Sequence, residues 1–219
     1  MRRPKRGLKP RHYIIPTLFI MILATSCAHR LVQPGSPGAP TRSIAAREAV
    51  DLSKVQFTLA DVKFMQDMIH HHAQALDMTA LIESRTSLDR MKLLGQRLEI
   101  SQSDEIRMMQ RWLGQRAQQA PDIHAHHMPG AALMPGMLTP EEMDRLAAAH
   151  GAEFDRLWLQ GMIRHHDGAL TMVDALFATP GTGQESEVFA FASDVVADQK
   201  AEIDRMEVML EELQSETRQ

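Results

Sequence analysis

The sequence predicts an all-α protein, a four-helix bundle built from two repeated helical hairpins. Apolar residues recur at helical spacing through four long stretches, and no segment alternates like a half-buried strand. A block of eleven residues, Met-Ile-His-His-His-Ala-Gln-Ala-Leu-Asp-Met from Met68 to Met78, returns without gaps as Met-Ile-Arg-His-His-Asp-Gly-Ala-Leu-Thr-Met from Met162 to Met172, an offset of 94. A second block follows in each half, with Gln102-x-x-Glu105-Ile106-x-x-Met109 matched by Gln199-x-x-Glu202-Ile203-x-x-Met206 at an offset of 97. Two similar hairpins that pack together give such a bundle a pseudo-twofold axis.

Taken in order, the 219-residue chain opens on a basic segment, then an apolar run from Ile14 to Ala24 shorter than a membrane span, then small residues leading to Cys27. This is the layout of a secretory signal peptide over residues 1–26. Cys27, the single cysteine, follows Leu-Ala-Thr-Ser in a setting that resembles the lipobox of bacterial lipoproteins, where that cysteine is acylated; ordinary cleavage near Ser26 or Ala28 is the alternative. Both routes predict an extracytoplasmic protein, in the periplasm or cell envelope, that meets a membrane only through such an anchor and has no intrachain disulfide. Residues 27–57, which contain the Pro-, Gly- and Ser-rich run from Gln33 to Arg42, are expected to form a flexible tether.

The bundle is expected over residues 58–219. Thr58 with Asp61 three residues on reads as a helix start, and Phe64, Met65, Met68, His72, Ala75 and Leu76 carry a first helix from about Leu59 to Ser84. Ser87 is placed to cap a second helix through Met91, Leu94, Leu98, Ile106, Met109 and Leu113, ended before Pro121. After a linker over 121–138, Thr139-Pro140-Glu141-Glu142 starts a third helix, with Thr as cap and Pro at the first helical position. That helix is expected to break near His150-Gly151, resume from about Ala152, and stop at Thr179-Pro180-Gly181; the fourth runs from about Glu187 to Leu213.

Removal of residues 1–26 takes away Arg2, Arg3, Lys5, Arg6, Lys9 and Arg11 and no acidic residue, leaving 18 of the 24 basic residues against 28 acidic ones, a formal charge of −10. Such a surface repels nucleic acid. Met occurs 16 times and His 11 times, whereas Tyr is absent after Tyr13.

At about 100° per residue, Phe64, Met65, Met68, His71, His72, Ala75 and Met78 share one broad face and His70 points away. Arg164 stands where the first half has His70, while Met68, His71, His72 and Met78 recur as Met162, His165, His166 and Met172. Flexible Met filling a core beside a hydrogen-bonded His is the ordinary explanation of one such residue. It fits less well here, because a buried imidazole costs free energy unless its nitrogens are satisfied, and four are placed twice alike.

Thioethers take soft ions such as Cu(I), imidazole suits copper and zinc, and structural zinc sites use thiolates that this chain lacks. Copper is therefore the expected ion, Cu(I) ahead of Cu(II). Met65, Met109 and Met206 are further candidates along the same stripes. Glu105 and Glu202, with Gln102 and Gln199 one turn before them, stand on the partner helices, where a carboxylate could offset the ion's charge or accept a ring N–H; an exposed helical Glu is the alternative. The linker from Pro121 to Leu138 carries His124, His126, His127, Met128, Met134 and Met137, and reads either as a segment that captures an ion and passes it on or as a linker of no fixed geometry.

The paired Met-Ile-x-His-His-x-x-Ala-x-x-Met motifs, each followed by Gln-x-x-Glu-Ile-x-x-Met, resemble the bacterial domain of unknown function 305 family over roughly Asp61 to Leu213. The resemblance implies a ferritin-like four-helix bundle, often exported, in a family of which some members bind copper and contribute to copper tolerance. It lays Met68, His71, His72, Met78, Met162, His165, His166 and Met172 on the motif positions.

The expected function is extracytoplasmic copper binding, in which the ion is sequestered or handed to a copper transporter or chaperone, with no catalysis. Whether homodimers share sites stays open. A non-metal envelope scaffold or interaction module is the first alternative. A ferritin-like metal-dependent oxidase is the second, but the di-iron kind needs Glu-x-x-His on two helices, and no Glu in this chain is followed three residues later by His. Gly-x-Ser-x-Gly and His-Glu-x-x-His are absent as well.

Overall fold

The computed structural model of the chain describes residues 30–33, 42–45, 56–124 and 133–216. The expected signal peptide, Cys27, and His126, His127 and Met128 of the linker lie outside these residues. The chain divides into two units, residues 1–51 and 52–219.

In the first unit β1 (Arg30–Gln33) pairs antiparallel with β2 (Arg42–Ala45), Arg30 opposite Ala45 and Gln33 opposite Arg42. The stretch 27–57, expected as a tether, thus contains two short paired strands. Each strand has only four residues, too few for alternation to stand out, yet Leu31, Val32 and Ile44 supply strand-favouring side chains. The Pro/Gly-rich run that suggested a tether lies between the two strands in sequence.

The second unit is the expected bundle. Its helices are α1 (Leu59–Ala80), the single turn α2 (Ile82–Arg85), α3 (Asp89–Gln115), α4 (Pro140–Ala148), α5 (Gly151–Ala178) and α6 (Ser186–Glu216). Helix α1 packs on α3, α5 packs on α6, and α1 against α5 joins the two hairpins.

Local chemistry sets most of the boundaries. The Thr58 hydroxyl accepts the Asp61 N–H at 3.1 Å while the Asp61 carboxylate accepts the Thr58 N–H at 2.7 Å, a reciprocal cap on α1. Thr139 and Glu142 repeat the device at the start of α4. The expected break falls at Ala149–His150, both extended, and α5 resumes from Gly151.

Two expectations need correction. The first helix stops at Ala80 rather than near Ser84, because Leu81 separates α1 from α2. Ser87 does not cap α3; Leu88 holds that position, and the Thr86 hydroxyl accepts its N–H at 3.1 Å.

Among the described residues the core forms two clusters, one at each end of the bundle. The first includes Phe64, Met65, Met68, Met109, Trp112, Met172 and Phe191, the second Met78, Met91, Phe154, Trp158, Met162 and Met206. Fully burying a side chain of this size stabilises the fold by roughly 1.5–3 kcal/mol. Both tryptophans also satisfy their N–H groups, Trp112 on the Glu185 carboxylate at 3.1 Å and Trp158 on the Met78 carbonyl at 3.0 Å. Arg90 near the start of α3 meets Glu212 and Glu216 at the end of α6, and Arg116 just past α3 meets Glu185 and Glu187 at its beginning, so these two helices run antiparallel. Among the described residues no helix is long and apolar enough to cross a membrane.

Candidate metal centre

Between the two apolar clusters lies a polar layer. His71, His72, His165 and His166 are each no more than 1% exposed, and Gln102 and Gln199 are buried beside them in the sequence repeat. The geometry follows from the register of α1 against α5. Met78 meets Trp158 at one level, and seven residues back on α1, His71 meets His165, seven residues forward on α5. The helices therefore run antiparallel. Because His71 and His165 are repeat equivalents, the pseudo-twofold axis passes between their rings, whose centroids are 3.8 Å apart with planes tilted by 38°. His72 and His166 flank this central pair, with ring centroids 6.3 and 6.4 Å from those of their neighbours in sequence.

The outer histidines are held from the partner helix of each hairpin. His72 Nε2 lies 2.5 Å from Glu105 Oε2, and His166 Nε2 lies 2.8 Å from Glu202 Oε2. A carboxylate accepts the Nε2–H of a neutral imidazole, which leaves the Nδ1 lone pair free to bind, and both Nδ1 atoms are buried without a hydrogen-bond partner. His71 repeats the pattern with a backbone acceptor: its Nε2–H donates to the Pro135 carbonyl at 3.0 Å, and its Nδ1 is bare. In His165 the bare nitrogen is Nε2. Four buried imidazoles thus each hold one unpartnered ring nitrogen, where nearly all buried polar atoms in folded proteins are paired.

Electrostatics keep the central pair neutral. Burial, then the neighbouring His72, lowers the His71 pKa from 6.5 to about 3, against the pull of the Pro135 carbonyl. Burial, then His71, His166 and His72, holds His165 well below its ordinary value. For Glu105, burial pushes upward, but the hydrogen bond and charge of His72, with the Ser101 hydroxyl, bring it below the ordinary carboxylate range. A neutral imidazole is the protonation state that metal ligation requires, and burial keeps His71 and His165 in it.

All eight motif residues are buried, yet their methionines are shared out in a way the repeat alone does not reveal. Met68 and Met172 join Met65 and Met109 on one side of the layer, while Met78 and Met162 join Met206 on the other. Each group of thioethers draws on both hairpins. Among the described residues no three His, Cys, Asp or Glu side chains are grouped to hold an ion, so a centre built here needs sulfur from methionine as well as nitrogen. That donor set fits a soft ion and does not suit a carboxylate-rich di-iron site.

The linker departs from expectation. His124 is exposed, but Met137 is buried and Met134 half-buried, with the Met134 N–H 3.4 Å from the Met137 sulfur. Its last residues are thus part of the folded bundle rather than of an open segment. Sequence reasoning missed the Pro135 carbonyl, and also Phe191, whose ring centroid is 6.5 Å from that of His72.

The family model for the domain of unknown function DUF305 matches residues 61–210. Among solved structures, a DUF305 fragment from Deinococcus radiodurans is 31% identical, with 71% of this chain and 98% of that chain covered at a TM-score of 0.61. A secreted DUF305 protein from Streptomyces coelicolor is 29% identical, covering 70% of this chain and 93% of that one at a TM-score of 0.59. CopM in its Cu(I)-bound form is 27% identical, covering 72% and 98% of the two chains at a TM-score of 0.55, and a Cu(II)-bound form of CopM is similar as well. No curated protein matches the chain.

Proposed function

The chain belongs to the DUF305 family, and from that premise we propose that it binds copper in the buried histidine–methionine layer and serves to sequester the ion or hand it on outside the cytoplasm. The observation that carries this reading is the set of four buried imidazoles, each with one ring nitrogen unpartnered, three of them held by an acceptor on the opposite nitrogen. Such a layer weakens a bundle that has no ion to bind. The likeness to a protein solved in Cu(I)- and Cu(II)-bound forms supports copper as that ion. Thioethers on both sides of the layer favour Cu(I).

The role is binding and transfer, without bond-making chemistry. The acidic mature surface suits attraction of a cation, and a partner that takes the ion would be a copper transporter or chaperone. A signal peptide over residues 1–26 and the likeness to a secreted relative support a place in the periplasm or envelope, with Cys27 as the point of any lipid anchor.

The test is an anaerobic Cu(I) titration against a competing chelator, on the wild type and on a variant with His71, His72, His165 and His166 all replaced by leucine. Tight binding by the wild type and none by the variant is expected. Equal binding by both moves the ion to the segment from His124 to Met137. No binding by either leaves a scaffold.

A further inference from the structure

Within the eleven-residue repeat, Gln74 of the first half corresponds to Gly168 of the second. Both positions are buried, and both serve the same short segment, residues 133–138. Gln74 grips it from α1: its Nε2 donates to the Leu138 carbonyl at 2.9 Å and its Oε1 accepts the Leu138 N–H at 2.7 Å. Gly168 makes room on α5, since a Cβ there would lie 1.9 Å from the Pro135 carbonyl oxygen and 2.4 Å from its carbon. Gly136, at φ +77°, completes the close approach; a Cβ on it would lie 2.3 Å from the Arg164 carbonyl. Met137 and Leu138 are then buried at 6% and 4% exposure.

The consequence reaches the histidine layer. Seated on Gly168, the segment aims the Pro135 carbonyl at His71, whose Nε2–H it accepts at 3.0 Å. His165, the repeat equivalent of His71, has no such acceptor at Nε2, and that nitrogen is the bare one. The symmetric repeat thus carries an asymmetric pair at its centre, and the asymmetry traces to the one buried position where Gln faces Gly.

We propose that residues 133–138 form a strap, held on the histidine layer by Gln74 and Gly168, that makes the two central histidines inequivalent, with His71 presenting Nδ1 and His165 presenting Nε2. Gln74 and Gly168 are positioning residues, acting through the Pro135 carbonyl. The ligand role of the two rings rests on copper binding; their inequivalence belongs to the metal-free protein.

Side-chain ¹H–¹⁵N correlation NMR on the full, metal-free protein near neutral pH reads which nitrogen of each histidine carries the proton. The expected result is an Nε2–H tautomer for His71 and an Nδ1–H tautomer for His165. In Gly168→Ala, His71 becomes a tautomer mixture and exchange of the Leu138 amide quickens about tenfold or more. Gln74→Met, of similar volume but unable to grip Leu138, gives the same two changes and serves where Gly168→Ala does not fold. The same tautomer at both central histidines of the wild type, or an unchanged His71 in a folded variant, overturns the proposal. A Cu(I) titration of the same wild-type sample separates the two ideas. Inequivalent tautomers without copper binding retain the strap and remove the copper reading, and equivalent tautomers with tight binding do the reverse.

Discussion

Replacing His165 with leucine should stabilise the metal-free protein, the opposite of what a core substitution normally does. The ring is 1% exposed and its Nε2 has no hydrogen-bond partner, and a buried polar group left unpaired costs roughly 1–3 kcal/mol. Leucine, similar in volume, removes that cost. It also gives up the tilted ring contact with His71 at 3.8 Å, worth roughly 0.5–1.5 kcal/mol. The balance is a gain of about 1 kcal/mol, or about 2–4 °C in the unfolding midpoint for a domain of this size.

The same burial makes stability depend on pH. His165 is held well below its ordinary 6.5, so between those values the unfolded chain binds a proton there that the folded chain does not. The same holds for His71, lowered to about 3. The contribution of these two histidines is therefore fully present above pH 6.5 and is lost as pH falls below it. His71 alone accounts for about 3 kcal/mol of that loss by about pH 4.5, at roughly 1.4 kcal/mol per pH unit. His165→Leu removes its own share and should flatten the profile. Urea unfolding followed by circular dichroism, in chelator and across this pH range, measures both effects. Destabilisation by more than about 1 kcal/mol at neutral pH, approaching the roughly 2–5 kcal/mol of an ordinary core truncation, would refute the reasoning, because the imidazole would then be contributing as packing.

Four further variants probe the layer and its support. Glu105→Gln and Glu202→Gln each remove a carboxylate that fixes an outer histidine, and chelator competition should show copper bound roughly 10–100-fold more weakly, with the fold retained; unchanged affinity would detach these carboxylates from the site. Met68→Leu combined with Met162→Leu conserves volume and should alter the unfolding free energy by under about 1.5 kcal/mol per site, while Cu(I) affinity falls; equal affinity would take these thioethers out of the centre. Thr139→Ala breaks the reciprocal cap on α4 and should cost about 1 kcal/mol in urea unfolding, with copper binding unaltered, since the cap does not touch the layer.

What could be read from the sequence was local. The caps at Thr58 and Thr139 depend on atoms three residues apart, and the helical period runs through each long helix, so helix starts and the buried faces bearing His71, His72, His165 and His166 were visible in advance. The pairing of Glu105 with His72 and of Glu202 with His166 was within reach because the second repeat block follows the first in both halves. The grouping of Met68 with Met172, and of Met78 with Met162, was not, because it depends on the antiparallel register of α1 against α5, set by contacts such as Trp158 to Met78, 80 residues apart. The Pro135 carbonyl was hidden for a different reason: a backbone acceptor leaves no mark in residue type. Its one trace is the exchange of Gln74 for Gly168 inside an otherwise similar motif, legible only once the strap is seen. The β1–β2 ladder escaped because four residues per strand give alternation too little length to appear.

X-ray absorption at the copper edge of the Cu(I)-loaded protein counts the atoms around the ion and so decides whether the histidine layer holds it. The account predicts nitrogen and sulfur together in the coordination sphere, with the nitrogen contribution lost when His71, His72, His165 and His166 are replaced. A sphere of nitrogen or oxygen alone, unchanged by that replacement, would contradict it and place the ion outside the histidine layer.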